Sequence, residues 1–111
     1  MTKRILLLSE TIGHDEDLGH VLMKNFLHYV ALNDEPPIAL MMMNTAVKLA
    51  CEGSEVLSDL QSLADKGVAV TSCKTCLEYF HLVHKVAVGS IGGMPVSVPA
   101  LLGDDTVLTV A

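Results

Sequence analysis

Residues 68–81 have the sequence Val68-Ala-Val-Thr-Ser-Cys-Lys-Thr-Cys-Leu-Glu-Tyr-Phe-His81. The apolar run predicts a strand over residues 68–72, and a short helix is expected over about residues 75–84. Cys73 therefore stands beyond the carboxyl end of a strand, at the start of a helix. Unpaired backbone N–H groups at a helix N-terminus stabilise a thiolate. The stretch thus predicts a strand-to-helix unit of an α/β domain, with a reactive cysteine at the edge of its sheet.

Strands and helices alternate along the rest of the chain. Further strands are predicted over residues 4–9, 38–43, 86–88 and 106–110, and helices over residues 16–32 and 54–66, with a short helical turn over residues 46–51. Residues 94–102, interrupted by Pro95 and Pro99, are expected to be irregular or weakly helical. The alternation predicts one three-layer α/β domain over residues 1–111, with a mostly parallel sheet of about five strands and helices on both faces.

The apolar content is high for a single small domain. Apolar residues make up 50% of the chain, which indicates strands covered on both faces or an apolar surface hidden in an oligomer. In the helix predicted over residues 16–32, helical spacing predicts one buried face, made of Leu18, Val21, Leu22, Phe26 and Tyr29.

Charge and hydropathy exclude several classes of partner. The net charge is −6 and there is no basic stripe, so direct nucleic-acid binding is disfavoured. The longest apolar run, residues 38–43, is far below the roughly 18 residues that a membrane span needs. The apolar start of the chain ends at Ser9, too early for a signal peptide, so we expect a cytoplasmic protein. Three cysteines without such a signal favour catalytic or ligand thiols over a disulfide framework.

The predicted topology brings several loops to one edge of the sheet. Ligands of open α/β sheets bind beyond the carboxyl ends of the strands. Those ends are predicted at Ser9, Asn44, Cys73 and Gly89. Cys73 is the candidate nucleophile, and the charge of Lys74 favours its thiolate.

Cys76 is expected within the first helical turn, near Cys73. It could resolve an oxidised or persulfidated Cys73 by forming a disulfide. Ser9, Asn44 and Gly89 are expected to line the pocket, together with Lys74.

Other interpretations of the same residues remain open. Cys73 and Cys76 could be small core residues, or zinc ligands with His81 and His84, although four residues between the pairs is short for a zinc site. We therefore predict no metal site. Cys51 is expected to be a packed core residue. Residues 9–13 weakly resemble a phosphate-binding loop, but a polar turn is favoured, and no cofactor is predicted.

Several short motifs, in this order, are similar to the DsrE/DsrF-like family. The likeness is greatest to its YedF-type C-terminal domains, which are sulfurtransferase-like and linked to selenium metabolism. It extends over about residues 5–94. The motifs are Gly19-x-x-Leu-Met-Lys-x-Phe26, Asn44-x-x-Val47-Lys-Leu49, Glu52-Gly-Ser-Glu-Val-Leu57, Lys66-Gly-Val68, Ser72-Cys-x-Thr-Cys-Leu77 and Val86-Ala-Val-Gly89.

The resemblance implies a DsrE-like fold and a role in sulfur relay. It implies that Cys73 accepts sulfane sulfur as a persulfide and passes it to an acceptor thiol, that Cys76 matches the second motif cysteine, and that the chain forms a homo-oligomer. The sulfur donor and acceptor would be separate proteins, such as a TusA-like protein. Lys74 departs from the glycine usual in the family. Two alternatives are a non-catalytic oligomeric module that binds a small ligand or partner, and a redox switch of Cys73 and Cys76.

Overall fold

The structure is a computed structural model that describes residues 2–111. Its strands are β1 (Lys3–Leu7), β2 (Ala39–Met42), β3 (Ala69–Cys73), β4 (Ser90–Gly92) and β5 (Thr106–Val110). Its helices are α1 (Asp17–Leu32), α2 (Leu57–Asp65), α3 (Lys74–Tyr79) and α4 (Met94–Leu101), with 3₁₀ segments at Asn44–Ala50 and Val83–Lys85. All five strands are parallel, in the order β4-β3-β2-β1-β5. The predicted α/β class and the mostly parallel sheet of about five strands are confirmed.

The order of the strands accounts for the three layers. From β1 to β4 each connection steps in the same direction, and right-handed crossovers put α1, α2 and α3 on one face of the sheet. The last connection returns from one edge of the sheet to the other, so the same rule puts α4 on the opposite face. None of the helices within residues 2–111 has the length and apolar character needed to span a bilayer.

The core lies between the sheet and the first three helices. In the register of the sheet Leu7 pairs with Met42, and Met42 pairs with Ser72, so their side chains share one face. Leu7, Met42 and Ser72 are almost completely buried there. All four residues of β2 are buried, which explains why its sequence is apolar without alternation.

The buried face of α1 differs from the predicted one. The residues that face the core are Gly19, Met23, Leu27 and Ala31, whereas the exposed side chains include Leu18, Val21, Leu22 and Tyr29. A Cβ at Gly19 would lie 2.1 Å from the carbonyl oxygen of His14, so only glycine allows the loop to approach this closely. Of the predicted face, Phe26 is partly buried against the core. The helix therefore has two apolar stripes, and the one that begins at Gly19 is the fully covered one.

The fourth strand was predicted four residues too early. Val86 forms only an isolated antiparallel bridge with Cys51, and the parallel strand is Ser90–Gly92. The chain turns at Gly89, which has a φ of +83° and lies against β3, with the carbonyl oxygen of Val70 only 2.4 Å from the position of a Cβ. Residues 86–88 approach the sheet before this turn, and the strand begins after it.

Two other boundaries also differ from the predictions. The helix predicted over residues 75–84 ends at Tyr79, because His81 adopts a left-handed φ of +58° that a helix cannot contain. The segment predicted to be irregular or weakly helical forms the helix α4, whose first turn tolerates Pro95 because a proline near a helix start loses no intrahelical hydrogen bond. The terminal strand is confirmed.

The turn at Gly89 generates a prediction about stability. Gly67 is a matched control: its φ is +91°, and no atom lies within 4 Å of an added Cβ. Gly67→Ala should destabilise the protein by about 1 kcal/mol through backbone strain alone. Gly89→Ala should cost ~1–3 kcal/mol more, because the methyl group would collide with the β3 backbone. Urea unfolding followed by circular dichroism measures both, and equal losses would contradict this account of the turn.

Candidate functional site

The loops after β1 and β2 are joined by hydroxyl groups at the carboxyl edge of the sheet. The backbone N–H of Glu10 donates to Thr45 Oγ1 at 3.1 Å. The Thr45 hydroxyl in turn donates to Ser9 Oγ at 3.4 Å. Ser9 Oγ also accepts the backbone N–H of Thr11 at 3.1 Å. Ser9 therefore lies at this edge, as predicted, and helps to fix the loop that begins with Asn44.

Asn44 brings the loop after β2 into contact with the cysteine pair. Its backbone N–H donates to Cys76 Sγ, with a nitrogen-to-sulfur distance of 3.0 Å. The residue has a φ of +55°, a conformation that asparagine adopts more readily than most residues. This backbone turn aims the amide of Asn44 across the sheet edge at α3.

The two cysteines of the pair differ in exposure. Cys73 is the last residue of β3 and is only 5% exposed, whereas Cys76 is half-buried in the first turn of α3. Cys73 also makes no side-chain capping hydrogen bond to the helix. The expectation of an accessible Cys73 that receives the helix N–H groups is therefore wrong. Cys73 is still a residue of the sheet and pairs with Gly92 of β4. Cys76 is the thiol that accepts a hydrogen bond from a backbone amide.

The surroundings of Cys76 oppose ionisation. Burial raises the pKa of the Cys76 thiol above its ordinary value, and the Asn44 amide partly offsets this shift by lowering the pKa. The neighbouring Cys73 thiol raises the pKa further, and the backbone N–H of Cys76 itself lowers it. Cys76 is consequently protonated in the main at neutral pH, and the Asn44 N–H is the partner from another segment that favours its thiolate.

Cys51 is separate from the pair and has a structural role. It is 4% exposed, and its Sγ donates to the carbonyl oxygen of Val47 at 3.3 Å. Burial, followed by the charge of Glu52, raises the pKa of this thiol. The interpretation of Cys51 as a packed core residue is confirmed.

Lys74 and Gly89 occupy different positions relative to the pair. Lys74 is exposed at the first position of α3, between the two cysteines in sequence. Gly89 precedes β4, level with the middle of β3 because the next residue, Ser90, pairs with Thr71. The prediction that Gly89 stands at the carboxyl end of the fourth strand is therefore wrong. Gly92, which pairs with Cys73, stands at the carboxyl end of β4 instead.

Lys48 is a neighbour of the site that the sequence analysis did not single out. Its Nζ lies 4.7 Å from the centroid of the Phe80 ring, a cation–π distance, and 4.0 Å from a carboxylate oxygen of Glu10. Lys48 follows Asn44 by four residues, and Phe80 follows Cys76 by four. The Asn44–Cys76 contact and the Lys48–Phe80 contact are thus separated by the same four-residue interval in both segments. That equal interval is the sequence signal that could have predicted the second contact from the first.

The surface cavities formed by residues 2–111 include two whose linings contain no cysteine. One of about 310 Å³ adjoins the loop after β1 and is lined by side chains of both charges, among them Glu10, Lys24, Lys48 and Glu55. A larger groove of about 770 Å³ lies between α1 and β5, with apolar walls that include Ile5, Phe26, Tyr29 and Leu108. The first cavity could hold a small molecule of mixed charge beside the site, and the second is an apolar surface away from the thiols.

Within residues 2–111, no three His, Cys, Asp or Glu side chains come close enough together to hold a metal ion. His81 and His84 are both exposed. The structure does not bring these two histidines together with Cys73 and Cys76.

Alkylation of the native protein should label Cys76 first. Because the pKa of Cys76 is raised, its reaction rate with iodoacetamide should keep increasing with pH beyond the free-cysteine pKa of about 8.5. Cys73 and Cys51 should react only after unfolding, since both are buried. Peptide mapping across a pH series measures this. A rate that levels off below that pKa, or labelling of Cys73 before Cys76, would contradict the geometry described above.

The fold is similar to three solved structures. The ychN protein from E. coli matches with a TM-score of 0.73 at 19% sequence identity, and the match covers 98% of this chain and 99% of that chain. MTH1491 from Methanobacterium thermoautotrophicum matches with a TM-score of 0.70 at 14% identity, covering 98% of this chain and 99% of that chain. BT1422 from Bacteroides thetaiotaomicron matches with a TM-score of 0.67 at 14% identity, covering 97% of this chain and 94% of that chain. The last two are described as proteins of unknown function. No protein-family model and no curated protein matches the chain. The chain has the fold of the ychN protein.

Proposed function

We propose that this protein is a sulfur carrier with sulfurtransferase-like chemistry, acting through the Cys73–Cys76 pair. The observation that supports it most is the backbone N–H of Asn44, 3.0 Å from Cys76 Sγ at the carboxyl edge of the sheet. A fixed N–H donor stabilises a sulfur anion as it attacks and as it leaves. The resemblance of the motifs to the DsrE/DsrF-like family implies the same chemistry, and the likeness to the ychN protein supports the fold that this resemblance implies.

The transfer exchanges one sulfur–sulfur bond for another. A cysteine thiolate of the pair attacks the outer sulfur of a donor persulfide, a new S–S bond forms, and the donor leaves as a thiolate. An acceptor thiolate then attacks the outer sulfur of the protein persulfide, which regenerates the cysteine thiolate. No net oxidation occurs, so the cycle needs no cofactor. Lys74, exposed beside the pair, would attract anionic donors, and Ser9 holds the loop that carries Asn44.

We propose that the donor and acceptor are separate proteins, with a TusA-like protein as one of them, and that the chain acts in the cytoplasm. Free thiols persist in that reducing compartment, and all three cysteines of this chain are free. Selenium could take the place of the transferred sulfur, as the resemblance to the YedF type implies.

Incubation with glutathione persulfide, followed by intact-mass spectrometry, tests the proposal. The wild-type chain should react at the pair, either gaining the mass of one sulfur atom or losing two hydrogens to a Cys73–Cys76 disulfide. The control is Cys73→Ser/Cys76→Ser, which leaves Cys51 as the only thiol and should do neither. An unchanged wild-type mass, or an adduct of equal yield on the control, would refute the proposal.

The position of the two thiols, three residues apart at the start of α3, favours one second candidate, a redox dithiol switch. Cys73 and Cys76 would then form a disulfide in response to the thiol poise of the cell rather than carry sulfur. A glutathione redox series with peptide mapping separates the candidates. A disulfide that forms over the cytosolic range, without any uptake of sulfur from glutathione persulfide, would favour the switch.

We also propose that the chain forms a homo-oligomer through its uncovered apolar surfaces. The second stripe of α1 includes Leu18, which is 62% exposed, and Tyr29, which is 67% exposed. In α4, Val96 is 71% exposed. Large apolar side chains left uncovered on a helix of each face are typical of protein interfaces. Sedimentation velocity should show an oligomer that Leu18→Glu/Tyr29→Glu dissociates, and a monomeric wild-type chain would contradict this.

A further inference from the structure

The two thiols of the pair differ in how easily a molecule from solvent can reach them. Cys73 is 5% exposed and Cys76 is half-buried. A donor persulfide must bring its outer sulfur into line with the attacking sulfur, which requires an open approach. Only Cys76 offers one.

The hydrogen-bond donor of the site, the backbone N–H of Asn44, also points at Cys76. The Asn44 N–H lies 3.0 Å from Cys76 Sγ, and its direction is set by the φ of +55° at Asn44. The next residue, Thr45, is held by the backbone of Glu10 and the hydroxyl of Ser9. The amide is therefore held in place before any sulfur anion forms, which is the arrangement that stabilises developing charge at the lowest cost in reorganisation.

Cys73 is the internal neighbour of that sulfur. It stands at the N-cap position of α3, three residues before Cys76, and its burial keeps external acceptors away from it. A buried thiol beside a half-buried one is placed to attack it from inside the protein. The spacing of the motif permits a disulfide between the two, since Cys73 directly precedes α3 and Cys76 lies in its first turn.

We infer that Cys76 takes up the sulfane sulfur and that Cys73 then expels it as sulfide, so that the pair reduces persulfides. This inference rests on the proposed function and reverses the roles that the motif alone suggests. The substrate class is a low-molecular-weight or protein persulfide. External acceptor thiols would compete with Cys73 for the bound sulfur.

The two steps balance as follows. The Cys76 thiolate attacks the outer sulfur of the donor persulfide R–S–SH, which forms Cys76–S–SH and releases R–S⁻. The Cys73 thiol loses its proton to solvent, and its thiolate attacks the Cys76 Sγ of that persulfide. The Cys73–Cys76 bond forms and HS⁻ leaves. The dithiol is oxidised by two electrons, the sulfane sulfur is reduced to sulfide, and a cellular dithiol or two glutathione thiols must reduce the disulfide to reset the pair.

The experiment uses the full chain, glutathione persulfide freed of excess thiol, a sulfide assay and peptide mapping. The wild-type protein should release one sulfide per chain and end with a Cys73–Cys76 disulfide. Cys73→Ser should keep a stable persulfide on Cys76 and lose sulfide release. Cys76→Ser should lose both, although it retains Cys73.

The outcomes separate this inference from the proposed function. Uptake of sulfur on Cys73 in Cys76→Ser, at the wild-type rate, would overturn the assignment of roles while the carrier function survived. Sulfide release from Cys73→Ser at the wild-type level would overturn the expelling role of Cys73. Failure of every form, wild type included, to take up sulfur would refute the proposed function itself. Because Cys73 is buried, Cys73→Ala is tested in parallel, and the circular dichroism spectrum of each variant establishes that it is folded.

Discussion

The hydrogen bond from the Asn44 backbone to Cys76 Sγ is the contact on which the candidate site depends. It joins the segment after β2 to helix α3, between residues that are 32 positions apart in sequence, and it exists because β2 and β3 are parallel neighbours whose carboxyl ends meet at one edge. A side-chain donor could rotate away, but a backbone N–H fixed by the φ of Asn44 cannot. The direction of this one amide decides which sulfur the site can stabilise as an anion.

The pairing of β3 with β4, and the point at which β3 ends, determine how deeply each of the two thiols is buried. Cys73 remains in register with Gly92, so it ends β3 as a sheet residue covered by its neighbours. Three residues later the chain has turned into α3, and Cys76 emerges at the edge of the sheet. The turn at Gly89 is part of the same arrangement, because it sets the register in which β4 runs beside β3. Backbone geometry, more than any charged side chain, thus differentiates the two cysteines.

The central strands and the edge that holds the site could be predicted from sequence because both follow from simple periodicities. Continuous apolar runs indicated β2 and β3, and alternation with helices indicated parallel strands. Finer features depended on tertiary contacts. The covered stripe of α1 is selected by a close approach at Gly19. Residues 86–88 have strand-like composition, but the turn at Gly89 delays the strand. The motif also could not tell which cysteine is buried, since that depends on where β3 stops.

The most direct test of the central contact is the resonance of the Asn44 amide in ¹⁵N–¹H spectra of the folded protein. If that N–H donates to Cys76 Sγ, its proton should shift downfield as Cys76 ionises, with a midpoint equal to the pKa found from Cys76 alkylation, and the shift should vanish in Cys76→Ser. An Asn44 amide that does not respond to Cys76 ionisation, while other amides around α3 do, would contradict the account.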